Sequence, residues 1–177
     1  MEDKDIILAM KDHPDKGFRL LMAKYGEPVY WHIRRLVVVH MDAQDAAQET
    51  FVRVFRSFHT FDGGRSLAAW IYRIATHEAL RVMGRGHAEE LSLENSGTAV
   101  ERLMAADYVD YSDLETVRLQ KAILSLPAKQ QIAFNLRYYD ELGYGEIADI
   151  MGATASAAKV NYHIAKGKII QYMNTHE

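Results

Sequence analysis

Phe18, Leu21, Tyr25, Val29, Ile33 and Leu36 recur at steps of three and four residues, which is the spacing of one helical face. The same period returns in most of the chain, whereas alternating runs of the β kind are nearly absent. Of three prolines in 177 residues, none lies between Pro28 and Pro127, so nothing in that stretch forbids long helices. An all-α fold follows. With 49% hydrophobic residues the chain can bury a core, which excludes disorder for its bulk, and 11 Gly with 3 Pro excludes a collagen-like or low-complexity chain. The absence of Cys excludes a disulfide scaffold, a cysteine zinc site and an iron–sulfur cluster. The longest apolar runs are as short as Leu36-Val37-Val38-Val39, far below the ~20 residues of a membrane span.

Local signals place the helices. Pro28 falls inside the first pattern and predicts a kink or break near Gly26. Asp42 suits the N-cap of a second helix, on which Ala47, Phe51, Val54, Phe55 and Phe58 form the apolar stripe. Phe61-Asp-Gly-Gly-Arg-Ser66 reads as a loop, and Ser66 caps a third helix carrying Trp70, Ile71, Ile74 and Leu80. Further on, helices are predicted over 113–126, stopped by Pro127, and over 129–139. A short helix over 144–151 ends at Gly152, and Ala158, Tyr162, Ala165 and Ile169 give one face of a last helix. Two helices around a short glycine-bearing turn form a helix-turn-helix pattern.

The formal charge of −3 conceals a strong segmentation. Residues 1–85 carry 13 Lys and Arg against 11 Asp and Glu, residues 86–117 carry 1 against 8, and residues 118–177 carry 7 against 5. The acid is therefore central. Its Ser-Gly content and weak periodicity read as a linker over 86–112 joining two small helical domains, 1–85 and 113–177; a solvated acidic loop within one domain is the other reading. The last helix holds Lys159, His163, Lys166 and Lys168 with no acid before Glu177, the sign that a helix in a DNA major groove requires.

Two separate stretches resemble one family. Asp42-Ala-Gln-Asp-Ala-Ala-Gln-Glu-Thr-Phe-Val-Arg-Val-Phe55 and Ala69-Trp-Ile-Tyr-Arg-Ile-Ala75 resemble region 2 of bacterial RNA polymerase sigma factors. Leu124-Ser-Leu-Pro-Ala-Lys-Gln-Gln131 and Tyr144-Gly-Glu-Ile-Ala-Asp-Ile-Met-Gly152 resemble region 4. Regions 2 and 4 joined by a short linker look like the extracytoplasmic-function (ECF) class of the sigma-70 family.

The resemblance implies roles for individual residues. Asp45, Gln48 and Glu49 occupy positions that dock on the clamp coiled coil of the polymerase β′ subunit. Their spacing sets them on one helical face, opposite Phe51 and Phe55; the residues alone fit an ordinary solvated face better, and it is the resemblance that favours docking. The loop 61–66 and the helix after it correspond to the part that opens the promoter −10 element, with Arg65, Arg73, His77, Arg81 and Arg85 as donors to DNA. Trp70 and Tyr72 offer stacking surface there, although Trp70 fits a core position better. Thr76 and His77 stand where Arg and Asn are usual in the family. For the −35 element the implied contacts are Ser156, Lys159, Asn161, His163 and Lys166, with Ala157 and Val160 also facing the groove. Asn161 and Ile164 replace common arginines, so the free protein is expected to bind DNA weakly.

No catalytic arrangement emerges: His77-Glu78 lacks the second His of a zinc-protease motif, and the glycine pairs lack a strand–loop–helix setting. A non-enzyme without cofactor, metal or small-molecule substrate is expected. The implied partners are core RNA polymerase, through the β′ clamp coiled coil and β flap, promoter DNA, and an anti-sigma factor. The acidic linker would run near the polymerase channels, where Glu89, Glu90 and Glu94 could mimic nucleic acid. The start Met1-Glu2-Asp3-Lys4-Asp5 lacks the basic residues of a signal peptide, so a cytoplasmic protein without membrane insertion is expected. Two alternatives are a sigma-like protein that titrates a regulator without initiating and a plain helix-turn-helix regulator. Apolar faces on both halves also allow a closed form that hides the DNA surface.

Overall fold

A computed structural model describes the backbone of residues 1–93 and 113–175, and the side chains of all of these except 85–93. Among the described residues, eight α-helices and one short 3-10 turn account for the secondary structure and no strand occurs. In chain order the helices are α1 (Asp3–Asp12), α2 (Pro14–Val37), α3 (His40–Ser57), α4 (Leu67–Leu93), α5 (Leu114–Leu124), α6 (Ala128–Tyr138), α7 (Tyr144–Met151) and α8 (Ala155–Thr175). The 3-10 turn, Phe58–Thr60, leads into the loop before α4.

Helices α1 to α4 build the first half. Leu21, Val29 and Ile33 of α2, Val54 of α3 and Ile71 of α4 are fully buried together. Burying each such side chain is worth about 1.5–3 kcal/mol. Helix α1, which no strong pattern announces, contributes only Ile6 and Met10 to this core. Its crossing with α2 depends on Gly17, where a Cβ would come within 2.4 Å of the Met10 backbone nitrogen. Asp3 fixes the pair by accepting from Tyr25 Oη and Lys24 Nζ, both at 2.7 Å.

Three local expectations are corrected. Helix α2 runs through Pro28 without a break: the lost hydrogen bond is offset by Leu21, Tyr25, Val29 and Ile33, which bury on one face across the proline. Helix α3 begins at His40 with Val39 at the N-cap, so Asp42 lies in its first turn, where its charge still suits the helix dipole. The early start follows from a sharp exit of α2, at which Val38 adopts φ 75° while Arg34 Nε donates to its carbonyl at 2.9 Å. Phe55 leaves the core stripe and is 43% exposed, because Ala43, Ala46, Thr50 and Val54 are the residues of α3 that turn inward.

Ser66 does cap α4, accepting from the Ala69 amide at 3.1 Å. Helix α4 then continues to Leu93, past residue 85. The rest of the acidic segment, 94–112, lies outside the described residues, as do the side chains of Glu89, Glu90 and Arg85.

In the second half, Asp113 caps α5 through the amides of Glu115 and Thr116, and α7 closes on Gly152 at φ 66°. A small core of Ala122, Ile123, Leu126, Phe134, Ala165 and Ile169 holds α5, α6 and α8 together. Ile132, Leu136, Ile147 and Ile150 instead join the core of the first half. Helix α7 therefore packs on α4 as well as on α8, and the two halves are closed against each other.

Candidate nucleic-acid interface

On α3, Asp45 and Gln48 are exposed and Glu49 is half-buried. Glu49 accepts from Arg53 Nε at 3.1 Å, and the same nitrogen lies 2.8 Å from Glu78 on α4. Glu78 is buried and its second oxygen takes Arg81 at 2.7 Å. One end of the Asp45–Glu49 face is thus tied into a charge chain that braces α3 on α4, while the other end is open. Beside it lies an open groove of about 840 Å³, lined by Phe18, Met22, Gln48, Phe51, Val52 and Phe55. Phe18 and Phe55 meet edge to face at 5.2 Å. The exposed phenylalanine that breaks the helical pattern is therefore part of a surface and not a packing fault.

The loop before α4 forms a second concavity of about 340 Å³, lined by Thr60, Phe61, Arg65, Ser66, Trp70 and Arg73, with Asp149 reaching in from α7. Trp70 is half-buried: it packs beneath Phe61 and Phe58, with ring centroids 5.3 and 6.0 Å away. Arg65 is exposed and faces Asp62 at 3.8 Å. Arg73 and His77 are exposed on one side of α4, and Arg73 Nη1 donates to the Asp149 carbonyl at 3.3 Å. Arg81 shares that side, but Glu78 holds its guanidinium. Thr76 points inward, where its hydroxyl meets His32 Nε2 at 2.8 Å, so it lies off this surface.

On α8, capped by Thr154 through the Ala157 amide at 3.1 Å, Ser156, Lys159, His163 and Lys166 are exposed along one stripe. Asn161 is half-buried and stands about half a turn away, on the margin of the packed face. Val160 and Ile164 are 55% and 43% exposed beside the stripe.

Sequence reasoning missed the polar joint between the halves. Tyr72 donates to Asp140 at 2.8 Å, and His32 Nδ1 lies 3.9 Å from the other Asp140 oxygen. Arg35 covers the ring of Tyr139 at 4.1 Å, and Gln120 donates to the Tyr139 hydroxyl at 3.0 Å. Burial pushes the Asp140 carboxyl up to about 6 and, with Arg35 nearby, holds His32 down at about 3. Nothing in the local sequence around Asp140 marks it, since its partners come from α2 and α4. Further along the joint, Ser66 donates to Glu146 of α7 at 2.7 Å.

Among the described residues, no helix is long and apolar enough to cross a membrane. Residues 21–87 match the family model for sigma-70 region 2, and residues 116–169 match that for sigma-70 region 4. The ECF RNA polymerase sigma factor SigW of Bacillus subtilis is 28% identical over 170 residues, covering 90% of each chain. In fold, the chain resembles CnrH as solved in complex with the cytosolic domain of CnrY, with a TM-score of 0.76, 17% identity and 99% of both chains covered. It also resembles the sigma factor RpoE of Bartonella quintana, solved with the anti-sigma factor NepR, with a TM-score of 0.69, 19% identity, and 92% of this chain and 99% of that chain covered. Both halves, in order and over nearly the whole length, thus match one family: the chain belongs to the ECF class of the sigma-70 family of RNA polymerase sigma factors.

Proposed function

We propose that this chain binds core RNA polymerase and directs promoter-specific transcription initiation, acting as an initiation factor and not as an enzyme, in the cytoplasm. Residues 1–85 form the unit that engages polymerase and the −10 element, 86–112 the acidic linker, and 113–177 the unit that reads the −35 element and meets the β flap. The observation that carries this reading is the sequential match of region 2 and region 4 to the two halves that present the exposed surfaces.

Asp45, Gln48 and Glu49 dock on the β′ clamp coiled coil, where acceptors on a rigid helix suit basic partner side chains. Asp45 and Gln48 are free to do so, and the apolar groove beside Gln48 supplies area that can be buried on docking. Arg65, Arg73, His77, Arg81 and Arg85 track the opened −10 strand, with an unstacked base received beside Phe61 and Trp70. Ser156, Lys159, His163 and Lys166 enter the −35 major groove; Asn161, half a turn from that stripe, is assigned its −35 contact from the family resemblance. An anti-sigma factor, as in the RpoE complex, is the regulator proposed for this chain.

The direct test mixes the purified protein with bacterial core polymerase and genomic DNA and sequences the transcript starts. Starts that share a paired upstream motif establish the reading and yield the promoter. Failure to bind polymerase overturns it.

A further inference from the structure

We infer that α1 is a DNA-facing element: Lys11, in its last turn, holds a backbone phosphate of the opened −10 strand at the outer lip of the concavity before α4. This contact rests on the sigma-factor reading of that concavity. It extends the strand-binding surface to a helix outside the region 2 match, which starts at residue 21.

A Cβ at Gly63 would lie 3.9 Å from Lys11 Nζ, so the ammonium stands against the bare backbone of the loop between Phe61 and Ser66. The concavity that this loop frames is lined by Phe61, Arg65, Trp70 and Arg73, and Lys11 lies beyond that lining. A nucleotide whose base sits beside Trp70 must carry its phosphates out of the concavity and along the loop. Gly63 and Gly64 present no side chain there, which lets a backbone phosphate come close. Lys11 supplies the cation at that point.

The lysine is held on a fixed helix. Ile6 and Met10 bury one face of α1, and the close backbone approach at Gly17 seats it on α2. At its other end Asp3 accepts from Lys24 and Tyr25. No backbone has to be ordered when a phosphate arrives, which lowers the cost of the contact.

Its charge is also uncommitted. Lys11 is exposed and forms no ion pair among the described residues, whereas Lys4 on the same helix pairs with Glu2 at 3.2 Å. In the loop, Asp62 is occupied locally: Oδ1 accepts from the Gly64 amide at 3.0 Å, and Oδ2 faces Arg65 at 3.8 Å. The exposed Asp12 stands about 100° around the helix from Lys11 and does not share its face. A cation in the last turn also suits the helix dipole, and that role alone would leave DNA binding untouched.

The test uses holoenzyme assembled from core polymerase and the full chain, as the parent, Lys11→Ala, Lys11→Arg and Arg65→Ala. The probes are oligodeoxynucleotides for each strand of the −10 element of a promoter defined by the parent's transcript starts. Fluorescence anisotropy is titrated with salt, and circular dichroism and retention on core confirm folding and assembly. One single-strand phosphate contact contributes about 0.7 to the slope of log affinity against log salt. Lys11→Ala should lower the slope on one strand by about that amount, Lys11→Arg should keep it, and binding to the −35 duplex should not change. An unchanged slope for Lys11→Ala, with a lowered one for Arg65→Ala, overturns the α1 contact alone. An equal loss on the −35 duplex also overturns it, because that marks a general charge effect. If neither substitution moves the slope, the concavity is not the strand site and its reading falls with the contact. If the parent gives no starts with core polymerase, the sigma-factor reading falls and takes the contact with it.

Discussion

The hydroxyl of Tyr72 on α4 and the carboxylate of Asp140 after α6 meet at 2.8 Å across the two halves of the chain, 68 residues apart in sequence. Both groups are largely buried, so neither can exchange this bond for water while the halves are closed. Tyr72→Phe removes the hydroxyl that donates to Asp140 and leaves a buried carboxylate behind. The expected loss is about 1–3 kcal/mol in chemical unfolding. Asp140→Asn keeps that hydrogen bond, because its amide oxygen still accepts from Tyr72, and it leaves no buried charge.

The pH dependence has two opposing parts. Asp140 has its carboxyl raised to about 6 by burial, so its contribution to stability is full below the ordinary carboxylate range and is lost as pH rises through 6. His32 is held at about 3 by burial, so its contribution is full above 6.5 and is lost progressively as pH falls from there toward 3. Asp140→Asn removes the first effect alone. That variant should be more stable than the parent at pH 7.5 by about 1–3 kcal/mol, with the difference shrinking below pH 6, as measured by urea unfolding across pH.

Gly17→Ala should detach α1. Its Cβ would sit 2.4 Å from Met10 N and 2.6 Å from Ala9 C, both backbone atoms that cannot swing aside. A loss of about 1–3 kcal/mol is expected, together with protease cleavage near the N-terminus, which mass spectrometry would locate.

Asp45→Arg and Glu49→Arg should separate binding from folding. Both should abolish retention on core polymerase in a pull-down. Asp45 is exposed, so its substitution should leave stability within about 0.5 kcal/mol. Glu49 is bonded to Arg53, which also meets Glu78, so placing a cation there should also lower the melting temperature.

Lys159→Ala should weaken holoenzyme binding to −35 duplexes about equally across sequences and reduce the salt slope by about 1. The readout is a salt titration of fluorescence anisotropy. A change in sequence preference without a change in slope would make Lys159 a base reader and not a phosphate contact.

Helices were legible wherever one face is apolar at a regular period or a cap is strong: Ser66, Asp113, Thr154 and Gly152 all act at helix ends. Helix α1 was not, because Ile6 and Met10 alone carry its buried face. Pro28 misled because its penalty is local, whereas the burial that overrides it is spread over four residues. The exposed stripe of α8 follows from spacing, and Asn161 departs from it by the same arithmetic. What spacing could not supply was the joint. Glu146, Asp149 and Asp140 look like ordinary solvated acids on a short helix and a turn, and only the packing of α7 on α4 gives them Ser66, Arg73 and Tyr72 as neighbours.

Helix α4 runs uninterrupted over 27 residues, roughly 40 Å at the rise of an α-helix. The hydrogen bonds that Ser66, Tyr72 and Arg73 make to the second half all fall at its N-terminal end. Beyond them the helix is braced by α2 and α3. A substitution that loosens α7 is therefore felt at one end of the rod and leaves the packing of α4 within the first half in place.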